Sequence, residues 1–325
     1  TDTPATPGDM PMPVRLHAVG RIALAALLGL CLPACERGTP GTGAPIGVAV
    51  KPQAQAARKP VEAVNVLRDR LLARDGAGFA RLAVPPDLHA RLAAGWREGR
   101  TRWPLDELPL DAKLPKMLAA LQENDAEARL MATFGRQFAG ADRDIDQAIR
   151  TLVQFGGEYV QKQAGYTPEE REHVAQALAA VGGWALAAPL SDPKHARPFF
   201  AALVAAARRS GIEGKAGPAA YATLGMDPSL NRLSPFIATL LAQLRSQYGL
   251  DLDASLRGMQ VRLLEQTGDS ARLRLRYQLA GSEIDAVVPV QRIDGHWYLA
   301  DFLRRAEASL AGRQAAAGAK NPASP

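Results

Sequence analysis

Ser191 and Lys194, in "SDPK", stand at the S-x-x-K spacing with which a lysine relieves an attacking serine hydroxyl of its proton, the chemistry of acyl-enzyme formation. Ser229-Leu230-Asn231 imitates the second element of that set. The third, Lys-Thr-Gly, is missing: the nearest stretch, "KAG" at Lys215, comes before the second element when it should follow it. Asp192-Pro193 explains the first stretch more simply, as the start of a helix. The histidines are 17, 89, 173, 195 and 296, and no pair has the i, i+4 spacing of two zinc ligands on one helix face. "EEREHV" holds Glu172-His173 without a second histidine. His173 borders the stripe Val174, Leu178 and Val181, and reads as a partly exposed helix residue. "DRDID", Asp142 to Asp146, has the alternating carboxylates of a calcium loop, but Gln147 and Val153 stand where glycine and glutamate are needed. Carboxylates there suit the positive end of the helix that follows. There is no nucleophile elbow and no dinucleotide fingerprint, and "GIEGKAG" has the wrong spacing for a phosphate loop. The expectation is no catalytic set, no cofactor and no metal.

The remaining reactive residues are Cys31 and Cys35, the 2 cysteines of the chain, in "LLGLCLPACERG". The run Ile22–Leu32 before them is apolar but shorter than the ~20 residues needed to cross a bilayer. Arg15, His17 and Arg21 precede it, and small residues and helix breakers follow, which is the pattern of a secretory signal. Leu32-Pro33-Ala34-Cys35 resembles the lipobox of bacterial lipoproteins, with an aliphatic residue at −3, a small one at −1, then cysteine. Proline at −2 departs from the usual small or hydroxylated residue. Leu30 is too bulky for Cys31 to be the cleavage site. The resemblance implies that Cys35 becomes the first mature residue and carries acyl chains such as palmitate. Two or more chains hold a protein stably on a membrane, each buried CH₂ adding ~0.8 kcal/mol. Glu36, where an inner-membrane retention aspartate commonly stands, points to the outer membrane facing the periplasm. Met10 or Met12 would each give a signal of normal length, so residues 1–9 read as a mis-assigned start. One cysteine remains after cleavage, so the exported part must stand on its packed core without a disulfide.

Residues 36–60, rich in Gly, Pro, Thr, Ala and Gln, read as a flexible tether, and 313–325 as a disordered tail. Between them the fold class is α+β and helix-dominated: a multi-helix region over 61–250, then a 3–4-stranded antiparallel sheet with a closing helix over 251–312. Val61, Val64, Leu67, Leu71 and Leu72 mark one amphipathic face, ended by Asp75-Gly76. A second helix starts near Pro86 and carries Leu88, Leu92 and Trp96. Thr167-Pro168, Asp192-Pro193, Asp227-Pro228 and Ser234-Pro235 each place a capping residue before a proline, and so mark helix starts. Thr167 and Glu170 form a capping box. Phe236 to Tyr248 is the last long helix, stopping at Gly249.

At "ARLRLRYQL" the period falls to two. Leu273, Leu275, Tyr277 and Leu279 face one way, and Arg272, Arg274, Arg276 and Gln278 the other. "MQVRLLEQ" precedes it as a strand. In "EIDAVVPVQRIDGHWYL", Asp294-Gly295 is a two-residue hairpin turn that pairs Val290 with Leu299 and Arg292 with Trp297. Pro289 marks a bulge or an unpaired edge position. Asp301–Ala311 closes as a helix. Helices followed by a meander ending in "VPVQRIDGHWYLADF" resemble NTF2-like (cystatin-like) domains of exported bacterial proteins, and "AVNVLRDRLLARDGAGFARLAVPP" resembles their opening helices. The resemblance implies that 61–101 and 250–311 share one core, interrupted by a helical insert. It also implies a pocket on the concave side of the sheet, where Asp285, His296 and Tyr298 would project, an Asp/His pair serving as general base. The whole pattern resembles uncharacterised lipoproteins as well.

The net charge of +6 is carried by arginine far more than lysine. Arg272, Arg274 and Arg276 form a stripe that could grip lipid phosphate, lipopolysaccharide or acidic glycan, or serve only as a solvated face that keeps the sheet from aggregating. The scarcity of aromatics and the periplasmic address disfavour nucleic acid. Three roles follow for a lipoprotein held to the membrane by acyl chains on Cys35. It is a non-catalytic module binding an envelope protein or polymer, or a small-molecule binder or enzyme using the pocket. The third is a spacer or assembly factor, if Leu105–Gly225 exposes an apolar groove.

Overall fold

The computed structural model describes residues 56–107, 114–162, 165–214 and 217–318. The Cys31/Cys35 stretch, the signal segment and most of the expected tether and tail lie outside them. Among the described residues twelve α-helices precede and close a four-stranded sheet: α1 Glu62–Leu72, α2 Gly76–Leu82, α3 Pro86–Arg97, α4 Leu114–Gln122, α5 Ala126–Gln137, α6 Asp142–Lys162, α7 Pro168–Ala187, α8 Pro193–Arg209, α9 Pro218–Leu224, α10 Met226–Tyr248 and α11 Leu252–Arg257, then β1 Gln260–Thr267, β2 Ser270–Leu279, β3 Ser282–Ile293, β4 His296–Leu299, and α12 Ala300–Gly318.

The helix boundaries follow local chemistry. Asp75 starts α2 by accepting the Gly78 N–H at 2.7 Å, and Asp192 starts α8 by accepting that of Lys194 at 2.8 Å. Thr167 and Glu170 form the expected capping box, and Gly249 closes α10 in the left-handed region at φ 73°. Ser234-Pro235 does not start a helix: α10 runs through it. The carbonyl that Pro235 leaves without a helical partner is that of Asn231. Both residues are exposed, so water can take that carbonyl and no buried acceptor is orphaned.

The sheet is a meander in the order β1-β2-β3-β4. Along β2, Ala271, Leu273, Leu275, Tyr277 and Leu279 are buried, and the residues between them are exposed. Val290 pairs with Leu299 and Arg292 with Trp297, across a turn with positive φ at Asp294 and Gly295. The irregularity in the sheet falls at Leu264 in β1 and not at Pro289, which pairs in register with Arg272. Pro289 lies one residue beyond the last β4 pair. The outward edge of β3 there is taken over by α7: Gln176 donates to the Asp285 carbonyl at 3.1 Å and accepts its N–H at 2.9 Å, replacing a strand. Alternation by two from Asp285 directs the Pro289 nitrogen to the same edge, where no strand asks for a donor.

One continuous apolar cluster runs from Ala57 to Leu310 and takes in both the helices and the core face of the sheet. The helical region and the sheet therefore share a core. Full burial of each Leu or Phe in it contributes about 1.5–3 kcal/mol. The packed chain begins earlier than 61: Ala57 and Pro60 are buried, and the Ala57 carbonyl accepts the Trp297 N–H at 2.8 Å along the outer edge of β4. α12 likewise continues to Gly318, past the helix end expected at Ala311. α6 is joined to the body through α7. They approach closely at Gly182, where an added Cβ would lie 2.4 Å from Val153 Cγ2.

Candidate functional site

Alternation places Arg272, Arg274 and Arg276 on the face of the sheet away from the core, as the pattern implies, but each already holds a carboxylate. Arg274 grips Asp285 with Nε at 2.8 Å and Nη2 at 2.5 Å, and Arg276 Nε reaches the same carboxylate at 2.9 Å. Arg272 bridges Glu265 of β1 at 3.1 Å and Glu169 of α7 at 3.2 Å. Glu283 lies 3.9 Å from Arg276. Three guanidiniums thus meet four carboxylates, and the face is neutralised from within. The hydrogen bonds from Arg274, with those from Arg276, hold the Asp285 carboxyl down at about 2. In an NMR titration Asp285 is expected to stay ionised to about pH 2 in the native chain and to move back toward ordinary carboxylate values in Arg274→Ala. An unmoved titration in that variant would show that the pair is not formed in solution.

Asp285, His296 and Tyr298 share this same face, because Gln291 pairs with Tyr298 and Ile293 with His296. They do not meet. Asp285 is six residues from Gln291 along β3, about 20 Å at ~3.4 Å per residue, and its carboxylate is committed to the two arginines. Tyr298 is buried, and that burial, with Asp294 nearby, pushes its phenol up. His296 is half-buried. A shallow cleft of about 150 Å³ opens beside Gly258, Gln260, Arg276, Tyr277, Gln278 and Glu283, and none of the three lines it. Ligand pockets for small molecules usually have ~300–1,000 Å³.

The other motif residues take structural places. Ser191 is buried and donates to Asp142 at the start of α6. His173, expected to be partly exposed, is 2% exposed, with Nε2 2.8 Å from the Tyr277 hydroxyl. α7 lies over the sheet and turns this residue inward. Burial, and then the charge of Arg305, lowers its pKa to about 4. His89 stands 3.7 Å from Asp227, and His195 lies against the ring of Tyr248. Among the described residues the histidines therefore do not converge. Among the described residues no group of three His, Cys, Asp or Glu is placed to hold a metal ion, and no helix is long and apolar enough to cross a membrane.

A buried ionic cluster was not legible in the sequence. Glu170, 2% exposed, caps α7 by accepting the Thr167 N–H at 2.8 Å and also accepts from Arg304 and Arg305 of α12. Arg304 donates to Asp301 at 2.9 Å. The Arg305 guanidinium lies 5.3 Å over the Tyr166 ring and 3.5 Å from Glu107. Nearby, Asp106 accepts the Arg102 N–H at 2.8 Å and the Ser309 hydroxyl at 3.0 Å. The cluster joins the turn at Leu105–Glu107, the start of α7 and the start of α12. Asp301 with Arg304 is the one local signal, an i, i+3 pair.

Among the described residues the large apolar side chains left exposed are Met117, Leu152 and Phe155 on the helices, Phe138 just past the end of α5, and Leu263 and Leu264 on β1. No family model matches the chain, and neither a curated protein nor a solved structure does.

Proposed function

We propose that the chain is a lipoprotein anchored through Cys35 to the outer membrane and facing the periplasm, whose globular part is a non-catalytic binding or assembly module. The anchor rests on Leu32-Pro33-Ala34-Cys35 and the basic, apolar segment before it. One observation carries the binding role: the charged side chains that could do chemistry are tied to one another, while apolar ones stand open. Asp285 is held by two arginines, whereas Leu152 is 54% and Phe155 52% exposed, one turn apart on α6. Exposed apolar groups that lie together mark contact sites for proteins, membranes or ligands. Phe138, Leu152 and Phe155 all fall within Leu105–Gly225, the segment in which an assembly factor would present its apolar surface.

Fractionation of cells fed a clickable fatty acid tests the anchor. The native chain is expected in the membrane fraction and labelled, and Cys35→Ala unlabelled and uncleaved. A Cys35→Ala chain that is processed normally and stays labelled would overturn the reading.

A further inference from the structure

We propose that β1 is the docking edge for a second copy of this chain, the two β1 strands pairing antiparallel about a twofold axis between Leu263 and Leu264. The edge is open: β1 bonds β2 on one side, no strand among the described residues lies on the other, and seven of its eight residues are exposed. Leu263 and Leu264 stand 45% and 48% exposed at its centre. Exposed apolar side chains on an unpaired edge are what native sheets ordinarily avoid.

The sequence of the strand is self-complementary in that register. Arg262 falls opposite Glu265 of the other copy, Leu263 opposite Leu264, and Val261 opposite Gln266. Each contact occurs twice. Among the described residues Arg262 has no ion-pair partner in its own chain. Glu265 is 61% exposed, with one oxygen on Arg272.

Directly opposed residues must share a face of the joint sheet, and residues three apart on a regular strand do not. The bulge at Leu264 supplies the missing step. Arg262 pairs with Arg274 and Glu265 with Arg272, so both lie on the arginine face. Val261 pairs with Leu275 and Gln266 with Ala271, so both lie on the core face.

The backbone agrees as well. Thr267 and Ser270 close the β1–β2 hairpin as a bonded pair, so Gln266 turns its N–H and C=O outward. Asp285 bonds Gln176 on the far edge of β3, which by alternation through Arg276 and Gln260 turns Val261 outward too. These are the two residues the twofold places opposite each other. A regular strand loses register across the bulge. A second copy, bulged at the same place, keeps it, and this is why the occupant is a second copy.

The test uses the full-length chain carrying two different tags, co-expressed, one tag retrieved and the other quantified. Arg262→Glu in both copies sets two carboxylates against each other at each of the paired positions. Glu265→Arg in both copies sets two guanidiniums against each other there. Either is expected to lower retrieval about tenfold, the ratio that corresponds to ~1.4 kcal/mol. Arg262→Glu in one copy with Glu265→Arg in the other makes one of the two contacts a reversed ion pair and leaves the other native, with no repulsion at either, and the mixed pair should recover retrieval to within about threefold of native. Both side chains are exposed, so the melt of Arg262→Glu should match the native chain, and that of Glu265→Arg should fall only slightly for the loss of its exposed pair with Arg272. No retrieval of the native partner, retention in the single variants, or failure of the mixed pair to recover would each overturn the proposal. Cys35 is unchanged throughout, so the result is independent of the anchor.

Discussion

Glu170→Gln is expected to lower the unfolding free energy by about 3 kcal/mol at neutral pH, the low end of what removing one partner from a buried ion pair costs. The carboxylate accepts from three donors: the Thr167 N–H, Arg304 and Arg305. A glutamine keeps one oxygen and turns an NH₂ toward groups that only donate. Arg304 is 40% exposed and can turn into water, which limits the loss. Arg305 is 13% exposed and keeps Glu107 and the Tyr166 ring but loses its closest carboxylate, so most of the cost falls there. In a unit of this size the melting temperature should drop by roughly 10 °C. The urea midpoint should fall with an unchanged slope. Glu169→Gln is the control, since Glu169 is 39% exposed and should matter by no more than about 0.5 kcal/mol. A loss below about 1 kcal/mol in Glu170→Gln would mean that the arginines rehydrate freely and the cluster is not closed.

Asp301→Asn should do the opposite, and only above a certain pH. Burial, reinforced by the charge of Glu170 and opposed by Arg304 and Arg305, raises the Asp301 carboxyl from 3.8 to about 6. The arrangement explains the direction: three carboxylates, Glu107, Glu170 and Asp301, surround the two guanidiniums of Arg304 and Arg305. Between pH ~4 and pH ~6 the folded chain keeps a proton that the unfolded chain releases. This carboxyl therefore costs nothing below the unfolded value, and its cost grows as pH rises through the window. At pH 8 the cost is fully present, about 3 kcal/mol for a shift of this size. Asparagine is neutral and its oxygen can still accept from Arg304. Unfolding free energies at pH 4 should be nearly equal for the two chains, and at pH 8 the variant should be the more stable by about 3 kcal/mol. A constant difference across the window would mean that Asp301 is not the titrating group. In a Glu170→Gln background the gain should shrink, because the like charge that helps raise Asp301 is gone.

Much of the local structure was legible. The strict alternation of Ala271 to Leu279 specifies which face is core, because neighbouring side chains on a strand can only point to opposite sides. Asp294-Gly295 specifies the turn and, through its length, the register of Val290 with Leu299. Asp192 and Thr167 specify helix starts, since their side chains satisfy donors that the helix leaves open. Ser234-Pro235 misled for a physical reason: it has the same local form as a start, and only the exposure of Asn231 makes a proline tolerable inside α10.

The contacts that decide the site are long-range and leave no period. Glu170 and Arg304 are 134 residues apart, and His173 and Tyr277 are 104 apart. Arg274 reads in sequence as one of three free cations, and becomes half of a neutral pair only when β3 folds back and sets Asp285 beside it. By itself the sequence determined the lipobox pattern at Cys35, the helix-then-meander order and the two faces of the sheet, because each depends on residues within a turn or a hairpin of one another. Only the tertiary structure decided that the arginine stripe is spoken for, that Glu170, Asp301, Arg304 and Arg305 meet in one cluster, and that among the described residues β1 is left open, because burial and charge pairing depend on which distant elements share a surface.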